Sequence, residues 1–83
     1  MNKKRRKTLE EIANKVEELR ESLQEVLDEE QEAYDNIPES LQESEKGCNM
    51  YDGISSMEDS IYSLDDVADK LREIIEMETW KED

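Results

Sequence analysis

Two stretches of this 83-residue chain repeat apolar residues at spacings that alternate between three and four. Leu9, Ile12, Val16, Leu19, Leu23, Val26 and Ala33 make the first series, with Glu30 as its one polar member. Met50, Ile54, Met57, Ile61, Leu64, Ala68, Leu71 and Ile75 make the second without interruption. A period of 3.5 lays one line of side chains along a helix, which is the signature of a coiled-coil seam. Written in opposite directions, the two seams agree. Leu9 falls opposite Ile75, Val16 opposite Ala68, Leu23 opposite Ile61 and Ala33 opposite Met50, with index sums of 83 or 84 throughout. Short connections favour antiparallel neighbours, so the expected fold is all-α: an antiparallel two-helix coiled-coil hairpin.

Local signals set the boundaries. Thr8 followed by Glu11 reads as a capping box that opens the first helix. Pro38 disfavours helical geometry at Ile37, and Asn36 suits a turn. Ser44 is the next residue able to cap a helix. The expected organisation is a flexible basic arm over 1–7, a helix over 8–35, a turn over 36–44, a second helix over 45–78 that closes the hairpin by 80, and a tail over 81–83. Pro38 to Leu41 can form one short helical turn inside the connection.

Composition then bears on assembly. Only 34% of residues are apolar, 43% are charged and there is no Phe. Two helices cannot cover an apolar face that also includes Leu27, Val67, Ile74 and Trp80 beside the main stripe. Self-association into a homo-oligomeric helical bundle is the natural remedy, with a dimer as the default.

Charge is distributed unevenly. Lys3, Lys4, Arg5, Arg6 and Lys7 open the chain, and the rest carries six basic against 25 acidic residues, a net of −19. Such a body repels phosphate backbones and anionic membranes, so neither direct DNA or RNA binding nor membrane binding is expected. No run approaches the roughly 20 apolar residues of a membrane span, and no signal-peptide pattern follows the basic start. The lone Cys48 excludes an internal disulfide and suits a reducing, cytoplasmic setting. There is no histidine, and no phosphate loop, zinc spacing or nucleophile elbow is present. The expectation is a binding protein and not an enzyme, without catalytic residues, metal or cofactor.

The second helix has one less ordinary feature. Gly53, Ser56, Ser60 and Ser63 run in a small-residue stripe, with Tyr51 and Tyr62 on the other flank. Close helix packing is the ordinary explanation; a groove lined by hydroxyls is the functional one.

The segment Glu29-Glu30-Gln31-Glu32-Ala33-Tyr34-Asp35-Asn36-Ile37-Pro38-Glu39-Ser40-Leu41-Gln42-Glu43-Ser44-Glu45, with Gly47 and Met50 after it, resembles a family of small acidic helical proteins of phages and prophages of Gram-positive bacteria. The likeness covers about the central third of the chain; Cys48, Asn49 and Tyr51 depart from its more acidic pattern. It implies a phage setting, in an infected bacterial cytoplasm, and no particular chemistry. Small phage-encoded oligomers often resemble counter-defence proteins, and three functions follow as expectations. One is sequestration of a phosphorylated nucleotide immune signal. A second is an acidic inhibitor or nucleic-acid mimic that blocks a host defence protein. A third is a structural or adaptor coiled coil.

A nucleotide site needs cations and a stacking ring. Two candidate pockets meet that need: Arg20 with Tyr62, Ser63 and Ser60 in the middle of the hairpin, and Lys46 with Tyr34 at the turn. The ordinary alternative for Arg20 is an ion pair with Glu17, Glu21 or Glu25.

Overall fold

The computed structural model describes residues 1–79, so Trp80 and the expected tail over 81–83 lie outside the described residues. Three helices follow one another: α1 over Lys3–Asn36, α2 over Glu39–Gln42 and α3 over Glu45–Thr79. The two long helices pack side by side in opposite directions, giving a rod of 64 × 14 × 13 Å. Arg20 meets Asp65, and Tyr34 meets Tyr51. Both pairs add to 85, close to the register read from the seams. The hairpin expected from the sequence is present.

The start of α1 differs from expectation. Asn2 is the cap, its side-chain oxygen accepting from the Arg5 N–H at 2.8 Å. The basic residues 3–7, expected as a flexible arm, therefore form the first turns of α1, and Arg6 packs inward at 8% exposure. Thr8 sits inside the helix, where its hydroxyl donates back to the Lys4 carbonyl at 3.1 Å. Back-bonding of this kind is the usual state of a mid-helix Thr, and no capping box forms there.

The reversal is built from small polar contacts. Ile37 adopts extended geometry, φ −82° and ψ 150°, as a residue before proline should. The Gln42 side-chain amide donates to the carbonyls of Tyr34 at 3.1 Å and Ile37 at 3.4 Å. Carbonyls at the end of a helix lack intrahelical i+4 partners; that of Tyr34 accepts from the Ile37 N–H at 3.3 Å as well as from Gln42. Ser44 caps α3: its hydroxyl accepts from the Gly47 N–H at 3.3 Å and donates to the Leu41 carbonyl. Gly47 is buried where α3 crosses the end of α2, and the carbonyls of Leu41 and Gln42 occupy the space a β-carbon would need.

The seam of α3 is as expected, with its eight residues from Met50 to Ile75 buried or half-buried. The seam of α1 needs correction. Leu9, Val16 and Leu23 point inward, but Ile12, Leu19 and Val26 are 42%, 61% and 52% exposed, and Ala33 is exposed. Their places are taken by Ala13, Arg20, Leu27 and Tyr34, each one residue later. This alternative series also alternates by three and four. Arg20 hides it from a reading based on polarity, because its charge is answered by Asp65 across the helix pair. One partner helix covers about two of the three apolar columns on α1, and Ile12, Leu19 and Val26 form the column left out.

The turn yields a stability prediction. Gly47→Ala forces a side chain into backbone and should cost about 1–3 kcal/mol, as overpacking does. Ser44→Ala should cost about 1 kcal/mol through the lost cap. Thermal unfolding followed by circular dichroism checks both; a Gly47→Ala protein as stable as the parent would contradict the close crossing.

Candidate functional site

The mid-rod residues singled out from the sequence come together only in part. Arg20 and Tyr62 share a small hollow with Gln24, Leu27, Glu58 and Ile61. Its volume is about 130 Å³, below the roughly 300–1,000 Å³ of small-molecule pockets. Arg20 donates from Nε to Asp65 at 3.0 Å and lies 3.4 Å from Glu21. Its charge is thus matched by two carboxylates, with Glu58 also on the wall. Ser60 and Ser63 take no part in this lining. Their hydroxyls donate to the carbonyls of Ser56 at 2.9 Å and Asp59 at 3.1 Å, within their own helix.

At the turn, Lys46 lines an open hollow of about 490 Å³ with Glu30, Glu45, Asn49 and Met50. Tyr34 is not on that wall; its ring packs against Tyr51 with centroids 6.2 Å apart. One ammonium beside two carboxylates offers little net attraction for a phosphate. A third hollow, about 530 Å³, lies at the start of α1 among Met1, Asn2, Lys4, Arg5, Thr8 and Leu9.

Two further cations, Arg72 and Lys70, are likewise engaged. Arg72 donates to Asn14 at 2.7 Å and pairs with Glu17, which ties α3 to α1 on the same flank as the Arg20–Asp65 bridge. Lys70 lies 3.0 Å from Asp66. That hydrogen bond, and then the carboxylate charge, holds the Lys70 ammonium above the usual lysine value. Among the described residues no group of three or more His, Cys, Asp or Glu is arranged to hold a metal ion. No described helix is long and apolar enough to cross a membrane.

The more ordered feature is the placement of the carboxylates. Glu11, Glu18, Glu25 and Glu32 recur every seven residues on α1, and Asp52, Asp59, Asp66 and Glu73 do so on α3. All eight are exposed. Seven helical residues rise about 10.5 Å, so each helix carries a straight, evenly spaced column of negative charge. Reading candidate cations singled out the scarce charge and passed over the arrangement of the abundant one, although the seven-residue spacing is plain in the sequence.

Family models, curated proteins and solved structures offer no match to this chain, so its own geometry carries the functional reading.

Proposed function

We propose that this chain is a non-enzymatic binding protein whose acidic outer surface occupies a basic surface of a partner protein. The two exposed carboxylate columns carry this reading. Regularly spaced negative charge on a stiff helical rod is complementary to a groove lined by Lys and Arg, and such complementarity sets encounter rate and partner choice. In the phage setting that the resemblance implies, the partner is a host defence protein, and occupation of its nucleic-acid channel is the inhibitory act.

Sequestration of a nucleotide signal is the second reading, favoured by the shared hollow of Arg20 and Tyr62. It has weaker support, because carboxylates already neutralise Arg20 and the hollow is small. An adaptor role draws on the exposed apolar column of α1 and has no partner-specific observation behind it.

Two measurements separate the readings. Affinity capture from host lysate should yield a partner at about 50 mM salt and lose most of it near 500 mM, since exposed charges are screened over a few ångströms there. Replacing Glu11, Glu18, Glu25 and Glu32 by Gln should weaken that capture at least about tenfold while helicity persists. Capture that ignores both salt and the four substitutions would sink the proposal. Calorimetry with cyclic and ADP-ribose-type nucleotides should show no saturable binding, and Arg20→Ala should cost only the roughly 0–1 kcal/mol of a part-exposed ion pair in stability. Tight nucleotide binding that Arg20→Ala abolishes would put sequestration first.

A further inference from the structure

The apolar column that α1 leaves uncovered has a counterpart on α3. Ile12, Leu19, Val26 and Ala33 precede the inward residues of α1 by one position, a rotation of about 100°. Gly53, Ser60, Val67 and Ile74 precede the buried Ile54, Ile61 and Ala68 and the half-buried Ile75 in the same way. The bridging Asp65 and Arg72 follow Ile61 and Ala68 by four residues and so lie on the opposite side of the α3 seam. In an antiparallel pair of right-handed helices, both preceding columns then fall on one flank of the rod, away from the ion pairs. At the observed register, Ile12 is level with Ile74, Leu19 with Val67, Val26 with Ser60 and Ala33 with Gly53. The face runs from large side chains near the chain ends to small ones near the turn.

Negative charge is almost absent from this face. Its outer margins are Thr8, Lys15, Ser22 and Glu29 on α1, and Asn49, Ser56, Ser63 and Lys70 on α3. Of these 16 positions, Glu29 alone is acidic, in a chain with 25 acidic residues. The carboxylate columns begin immediately outside those margins. Leu19 at 61%, Val26 at 52% and Val67 at 43% exposure leave a continuous apolar strip in water. No large side chain of the hairpin is fully buried among the described residues.

We propose that this face docks a second copy of the chain end for end, α1 on α1 and α3 on α3, to make a four-helix bundle. Three observations select that occupant. Two rods of like charge can approach closely only through a surface cleared of carboxylates, and each copy has one such surface. The taper is self-complementary: turned end for end about Ser22, Ile12 of one copy meets Ala33 of the other, Leu19 meets Val26, and Ile74 meets Gly53. The margin is self-complementary too. Lys15, exposed on α1, meets Glu29 of the second copy, and the twofold axis repeats the pair.

The size is adequate. The face extends about 42 Å over some 28 residues and about 18 Å across two helices. It would bury about 1,500 Å² in total, within the range of stable interfaces. The inference stands independently of the acidic-surface reading, since the dimer leaves both carboxylate columns of each copy outside.

Sedimentation equilibrium at roughly 10 µM should give twice the 9.8 kDa chain mass. Leu19→Glu should shift the protein to monomer. Because that variant can also lose structure, two further tests fix the arrangement. In a Cys48→Ser background, Ser22→Cys should oxidise readily to a covalent dimer, whereas Asp28→Cys on the outer surface should not. Lys15→Glu and Glu29→Lys should each raise the dimer dissociation constant about tenfold, and the double variant should restore it. A helical monomer at that concentration would overturn the proposal. So would a dimer in which Ser22→Cys fails to cross-link and the double reversal fails to restore affinity.

Discussion

A helix packed against a single neighbour can bury only part of its circumference, and that limit governs this molecule. α1 has three adjacent apolar columns, and α3 covers two of them. The choice falls on the column of Leu9, Val16 and Leu23 and the column of Ala13, Arg20 and Leu27, with Ala13 fully buried. Arg20 can sit at the boundary because Asp65 answers its charge. The flank with the ion pairs is thereby closed to further apolar contact, and the opposite flank is left with the surplus. The position of the carboxylates follows the same division, since they occupy what neither seam nor surplus uses.

Much of the fold was legible in the residues. The seam of α3, the antiparallel pairing of the two long helices, the extended Ile37 before Pro38, and the Ser44 cap were all read without being overridden by tertiary context. Two points were not legible. Thr8 looked like a helix start because its hydroxyl can cap, but Asn2 lies upstream with the same capacity and the basic residues between them tolerate a helix. The rotation of α1 could not be read from hydrophobicity, because both candidate series alternate by three and four. The observed rotation places Arg20 against Asp65, and a contact across 45 residues leaves no local signature.

The candidate site was legible to a lesser degree. Arg20 and Tyr62 do approach one another, as helix geometry and register required. Which carboxylates surround Arg20 depended on the rotation of α1, and Asp65 entered only with the observed one. The serines of α3 were attractive as ligand hydroxyls, but a hydroxyl inside a helix finds its own carbonyl first. In a chain this acidic, a lone cation is more readily matched by a neighbour than held open for a phosphate.

The tight crossing of α2 and α3 has a consequence for how the chain reaches its fold. Cross-helix contacts lengthen steadily away from the turn. Tyr34 and Tyr51 close a short loop near it, Arg20 and Asp65 are 45 residues apart, and Arg72 and Asn14 are 58 apart. Loop-closure entropy grows with each of these separations, so contact forms most cheaply beside the turn and then spreads outward like a zip. The buried Gly47 stands at the fixed end of that zip; if the turn is the nucleus, a change there slows folding more than it speeds unfolding. At the other end, the first turns of α1 and the last of α3 close last and open first.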